Sequence, residues 1–203
     1  MDVHKLCDEI KPILDKYKND KYVEMEFRLG KFNGTFFDTN VGKDAFYKFK
    51  EGLEIYTGWE KIVNSSCEVY YRNNHNNRLT IDQTTEEDTL ICKEKVFTQD
   101  FKHLNKSPYD IRFNVSHEIP IEDTGDNQWD RNKIKERFSY IRKNLSIDMT
   151  ICSGMVQDMD AEDSHTYQVE FEIIEPNKVD DIDILFKIIH KIKDFFNMSN
   201  YIC

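Results

Sequence analysis

The chain has 203 residues, 39% of them hydrophobic and 33% charged, and carries a formal net charge of −10. That length suits one domain. Proteins that grip nucleic acid over a broad surface are basic, so this chain has to hold any polyanion locally, in a pocket of clustered cations. No apolar run approaches the roughly 20 residues of a membrane helix, and the first residues lack the apolar stretch of a signal peptide. Five scattered cysteines without a Cys-x-x-Cys pair exclude a disulfide frame or structural zinc site and predict an intracellular, reducing compartment, cytoplasm, viral factory or nucleus.

In chain order, Val3, Leu6, Ile10, Ile13, Leu14 and Tyr17 recur at helical spacing and predict a helix over 3–17. Strands are predicted at 21–29 and 32–38, then a helix over 43–56 carrying Phe46, Phe49, Leu53 and Tyr56. Period-two alternation predicts further strands at 59–73, 77–83, 88–103, 109–119, 132–143, 146–155 and 165–175. Turns are expected at 73–74, around 107–108, at 123–130 and at 157–164. A last helix is expected over 179–197, with Asp180, Asp181 and Asp183 near its start, where acids suit the helix dipole.

The polar faces of these strands carry the information. Ile111, Phe113 and Val115 oppose Arg112, Asn114, Ser116 and Glu118; Ile134, Phe138 and Tyr140 oppose Lys135, Arg137 and Ser139. Leu79 and Ile81 oppose Arg78, Thr80 and Asp82, and Ile147, Met149 and Ile151 oppose Asp148 and Thr150. The strand at 88–97 is less regular, with Lys93, Lys95 and Phe97 on one face. An open sheet with its polar face in water is the plain arrangement of such a pattern. Three amphipathic helices, however, need apolar surface to cover, and eight antiparallel strands suffice to close a barrel. The expectation is a mainly β (α+β) single domain over 1–203: a closed antiparallel eight-stranded barrel with a charged lumen and helices packed outside.

Two of the strands carry Glu24-x-Glu26-x-Arg28 and Gln168-x-Glu170-x-Glu172. Residues two apart on a strand share a face, so each pair of carboxylates points the same way. One such pair is most simply a solvated strand edge. Two pairs that meet in space put four carboxylates in one site, which stays ionised only with cations and implies Mg²⁺ or Mn²⁺.

These residues give the chain a resemblance to the triphosphate tunnel metalloenzymes, and within them to the metal-dependent RNA 5′-triphosphatases of mRNA capping found in fungi, protozoa and large DNA viruses; it looks most like the triphosphatase domain of a giant-virus capping enzyme. The opening Glu24-x-Glu26-x-Arg28 and the closing Glu170-x-Glu172 resemble the family's metal motifs. Arg78-Leu79-Thr80, Ile91 to Val96 with Lys93 and Lys95, Arg112 to Pro120, Lys135-Glu136-Arg137 and Asp148-x-Thr150 resemble its intervening strands, in the same order. Gln168 departs from the fungal pattern, which tends to carry a third glutamate there.

The resemblance implies hydrolysis of the γ-phosphate of 5′-triphosphate RNA to a diphosphate end, with NTPase side activity. It implies a metal held by Glu24, Glu26, Glu170 and Glu172, and phosphates held by Arg28, Arg78, Lys93, Lys95, Arg112, Lys135 and Arg137. Glu118 would orient or deprotonate the attacking water, Lys135 and Arg137 would serve the reacting phosphate, and Asp148, Thr150 and Gln168 would support them. It also implies that guanylyltransferase and methyltransferase domains can follow in the same chain. A small-molecule tripolyphosphatase or NTP phosphatase, and a non-catalytic polyphosphate-binding barrel, share most of these features.

Overall fold

The computed structural model describes residues 2–72, 76–102, 108–123, 129, 131–154 and 164–198. The strands are β1 (Val23–Phe32), β2 (Phe37–Asp38), β3 (Lys61–Arg72), β4 (Asn77–Asp82), β5 (Asp88–Phe101), β6 (Asp110–Pro120), β7 (Arg131–Arg142), β8 (Leu145–Ser153) and β9 (Thr166–Glu172). The helices are α1 (Val3–Tyr17), α2 (Lys43–Ile55) and α3 (Ile182–Met198). The turn predicted at 73–74 and most of those at 123–130 and 157–164 lie outside the described residues, as does Ser107.

The sheet order is β1-β6-β5-β4-β3-β7-β8-β9, and β9 pairs back onto β1, so eight antiparallel strands close on themselves. This is the expected barrel. The predicted strand at 32–38 is cut short: β1 runs on through Phe32, and only Phe37 and Asp38 pair with it outside the closed ring. The last helix begins later than expected because Pro176–Lys178 forms a 3₁₀ turn. The Asp181 carboxylate then accepts the Ile184 amide at 2.8 Å, which caps the helix start.

The apolar core lies outside the barrel rather than in it. Met25, Phe27, Ile111, Phe113, Met149, Val169 and Phe171 face outward and are fully buried, or within 1% of it. They are covered by Leu6, Ile10 and Leu14 of α1, Phe46, Phe49 and Leu53 of α2, and Leu185, Ile189, Ile192 and Phe195 of α3. Phe49 stacks on Phe195 with ring centroids 4.4 Å apart. Period-two patterning therefore serves two purposes on each strand: one face anchors helices and the other is left for the lumen.

On β5 the alternation breaks between Lys95 and Phe97, where a bulge shifts the register against β6. Lys93 and Lys95 stand opposite Glu118 and Ser116, whereas beyond the bulge Thr98 and Asp100 stand opposite Asn114 and Arg112. Phe97, expected on the lysine face, packs instead against the apolar core together with Val96. One extra residue inverts which positions face inward, and the inversion brings Asp100 to Arg112.

Gly30 lies where β1 meets β2, and a Cβ there would run into the Asp38 carbonyl and the Phe37 ring. Gly30→Ala should therefore lower stability by about 1–3 kcal/mol, the usual cost of overpacking, measured as a shifted urea midpoint at unchanged slope. An unaltered midpoint would show that β2 is not held against β1 in solution.

Candidate active site: a charged tunnel

Closure of the barrel turns the polar strand faces into the wall of a cavity of about 560 Å³. Glu24, Glu26, Arg28, Arg78, Lys93, Glu118, Lys135, Arg137, Asp148, Glu170 and Glu172 all line it. Lys95 and Arg112 line a second cavity of about 290 Å³. The two cavities share Glu26, Arg28, Arg78 and Lys93, which makes them two chambers of one tunnel with those four side chains at the waist.

The registers explain the convergence. Glu26 stands opposite Glu172 and Arg28 opposite Glu170 across β1 and β9, and Asp148 stands opposite Glu170 across β8 and β9. Arg28 donates to Glu26 Oε1 at 2.8 Å and lies 2.8 Å from Glu170 Oε1. Lys93 pairs with Glu24 and, at 3.0 Å, with Glu118. Arg137 Nε donates to the buried Thr150 hydroxyl at 3.2 Å, and its terminal nitrogens lie 3.5 Å from Glu170 and 3.7 Å from Asp148.

Burial opposes ionisation in such a site, and the partners decide the outcome. Burial pushes the Glu170 carboxyl up, but Arg28 and Arg137 outweigh it and bring its pKa down to about 2. Against the same desolvation, Glu170 and Glu26 hold the Arg28 cation charged, and Glu26, Glu24 and Glu118 do so for Lys93. Glu172 has no hydrogen bond or ion pair among the described residues. Its burial, with Asp148 and Glu24 nearby, pushes its pKa up to about 7. Burial also raises Glu26 above the carboxylate range.

The four expected metal ligands thus share one chamber. Their chemistry fits a hard cation: all donors are carboxylate oxygens, and Glu172 is a half-buried acid with no ion pair among the described residues. Among the described residues, however, no three acidic, histidine or cysteine side chains stand close enough together to hold a metal. The oxygens are instead drawn to Arg28 and Lys93.

Other predicted residues sit differently from expectation. Arg112 is gripped at two points by Asp100, at 2.7 and 2.9 Å, with its guanidinium over the Phe37 ring. Gln168 lines neither cavity; its amide reaches Thr39 at 3.4 Å and its oxygen faces the Cys152 thiol. Several partners carried no functional assignment from sequence. Ser116 donates to Glu24 at 2.7 Å, Asn114 to Glu26 at 3.3 Å and Ser146 to Asp148 at 2.6 Å. Ser116 and Asn114 share the inward parity of Arg112 and Glu118, which was the available signal. Asp100 carried none, because the bulge hides its parity. The Nε of Arg78 is buried without any hydrogen-bond partner among the described residues, an orphaned donor on the tunnel wall.

Glu172 yields a test that needs no substrate. Its pKa is about 7 when folded, against an ordinary value of 4.5, so between those values the folded chain binds the extra proton. Stability then falls as pH rises through that window, by about 3 kcal/mol in total. In chelator, Glu172→Gln should flatten the fall between pH 5 and 8 and raise the melting temperature at pH 8. An identical pH profile for variant and parent would place Glu172 outside a desolvated acidic site.

Known proteins share this fold. Residues 14–199 match the family described as mRNA capping enzyme, beta chain. The mRNA-capping enzyme subunit beta of Schizosaccharomyces pombe is 26% identical over 109 residues, which is 51% of this chain and 36% of that protein; the match thus spans little more than a third of the relative. The structure of the S. pombe Pct1 RNA triphosphatase superposes with a TM-score of 0.75 at 16% identity, over 96% of this chain and 92% of that one. Pct1 in complex with the Spt5 CTD gives 0.72 at 17% identity, over 96% and 93%. At such identities the structures establish the tunnel fold. With nearly its whole length matched, the chain belongs to the family of the mRNA capping enzyme beta chain.

Proposed function

We propose that the chain removes the γ-phosphate from the 5′-triphosphate end of RNA and leaves a 5′-diphosphate, the first step of cap formation. The carrying observation is the closed lumen in which cations and carboxylates interleave, with Arg78 Nε on its wall a donor that has no partner among the described residues. Phosphoryl transfer asks for charge neutralisation, positioning and an oriented water rather than covalent chemistry. Arg28, Arg78, Lys93, Lys135 and Arg137 provide the first two; arginine grips two oxygens with a rigid fork, and lysine acts as a point charge.

Glu118, 3.0 Å from Lys93 and 37% exposed at the side chain, is the group we assign to the attacking water. Ser116 and Asn114 hold Glu24 and Glu26 in place from β6, while Thr150 and Asp148 fix the Arg137 guanidinium. Glu24, Glu26, Glu170 and Glu172 are the residues that would hold a Mg²⁺ or Mn²⁺, which would supply Lewis acidity there. We extend the reading to a virus-type capping enzyme working in a reducing compartment, where guanylyltransferase and methyltransferase activities, in the same chain or a partner, take up the diphosphate end. Free tripolyphosphate and NTPs suit the same lining and belong in the test.

The test is phosphate release from 5′-triphosphate RNA, ATP and tripolyphosphate, each with Mg²⁺, Mn²⁺ or chelator. One phosphate per RNA end, released only with metal, is expected; turnover of the small triphosphates with RNA untouched would move the site to the small-molecule branch. Glu26→Ala should reduce turnover by about 10²-fold or more, the scale of losing a preorganised electrostatic contact, with the fold retained by circular dichroism. Arg137→Lys should cost about tenfold or more, some 1.4 kcal/mol, because an ammonium cannot hold Thr150 while facing Asp148 and Glu170. Full activity in Arg137→Lys would mean that only the charge matters there.

A further inference from the structure

The two chambers of the tunnel differ in charge. The larger is lined by eight carboxylates and five cations. The smaller is lined by five cations and one carboxylate, and Asp100 engages one of those cations, Arg112. Two strands measure position along the tunnel. On β5, Thr89 and Ile91 face the larger chamber, Lys93 stands at the waist and Lys95 faces the smaller. On β4, Thr80 and Asp82 face the larger chamber and Arg78 stands at the waist; just before the strand, Asn76 faces the smaller. The outer mouth of the larger chamber is therefore the β4–β5 hairpin, with Asp82 and Glu87 on it. The outer mouth of the smaller chamber carries Lys95 and Asn76. Lys95 is exposed and has no hydrogen bond or ion pair among the described residues.

Among the described residues, a polyanionic strand meets like charge at the first mouth and opposite charge at the second. Alternate residues on a strand stand about 6.6 Å apart, a span comparable to a triphosphate chain. A triphosphate whose middle phosphate sits at the waist, against Arg28, Arg78 and Lys93, thus reaches the carboxylate chamber at one end and Lys95 at the other.

Resting on the function proposed above, the geometry points to a direction of entry: RNA enters through the mouth lined by Lys95 and Asn76, and the smaller chamber is the subsite for its α-phosphate and first nucleoside. The γ-phosphate then points into the carboxylate chamber toward Glu118, and the acidic hairpin mouth is left to water and cations. This assigns Lys95, Asn76 and Thr39 to recognition of the nucleotide rather than to the reacting phosphate.

The test is photocrosslinking of a 5′-triphosphate RNA that carries 4-thiouridine as its first nucleotide, with the crosslinked peptides located by mass spectrometry. Crosslinks are expected in peptides holding Lys95, Thr39 or Asn76. Crosslinks at Thr85 to Glu87, or at neither mouth, would overturn the assignment. Kinetics give a second reading: Lys95→Glu should raise KM for triphosphate RNA about tenfold, whereas Glu87→Lys should leave it unchanged. An unaltered RNA KM in Lys95→Glu, or a lowered one in Glu87→Lys, would likewise reverse the direction. Failure of the parent protein to release phosphate from RNA at all is a separate result, and it refutes the function rather than the polarity of the tunnel.

Discussion

The structure depends on mutual neutralisation of charges inside a closed barrel. A carboxylate or guanidinium taken out of water pays heavily unless a partner of opposite sign stays within reach. Here Arg28 lies between Glu26 and Glu170, Lys93 lies between Glu24 and Glu118, and Arg137 faces Glu170 and Asp148. Each of these contacts joins different strands or successive inward positions on one strand. The lumen thus holds itself together while the apolar contacts that drive folding are moved outside, to the helices. Glu172 is the exception: among the described residues it makes no ion pair, and desolvation with Asp148 and Glu24 nearby outweighs the pull of Arg137 and pushes its pKa up to about 7. That imbalance and the Arg78 Nε, which has no hydrogen-bond partner among the described residues, mark one acidic and one basic group of the lumen that the internal charge pairing leaves over.

Much of this is legible in the sequence because a strand that anchors a helix on one face and lines a lumen on the other has to alternate strictly. The alternation at 109–119 places Arg112, Asn114, Ser116 and Glu118 on one wall, and the structure keeps them there. The paired motifs at Glu24-x-Glu26 and Glu170-x-Glu172 converge because β9 pairs with β1, a closure that no local pattern announces. The sequence reading fails where geometry is set by a single residue or by a partner from far away. The bulge after Lys95 has no compositional mark, yet it sends Phe97 to the core and Asp100 to Arg112. Asp100 in turn occupies the fork of an arginine that motif order alone would give to phosphate. Gln168 shares the parity of Glu170 and Glu172, but it lies beyond the chambers and bonds Thr39 from the segment that follows β2.

The likeness to the fission yeast structure at 16% identity has the same origin. What an eight-stranded tunnel needs is that polar residues fall on one side of each strand and apolar ones on the other. Outward residues have to remain apolar and fill space against the helices, but many different residues satisfy that.

On the function proposed above, cations and carboxylates of the lumen hold one another until metal and triphosphate replace them together. Binding of a metal would free arginines and lysines for phosphate, and binding of phosphate would free carboxylates for metal, so the two ligands would be positively coupled. Calorimetric titration of tripolyphosphate into the Glu118→Gln variant, expected to be hydrolysis-deficient, with and without Mn²⁺, measures that coupling directly. Each ligand is expected to tighten the other by at least about tenfold, a coupling of roughly 1.4 kcal/mol. Independent binding, with the tripolyphosphate affinity unchanged by metal beyond the metal's own complexation of free tripolyphosphate, would contradict it.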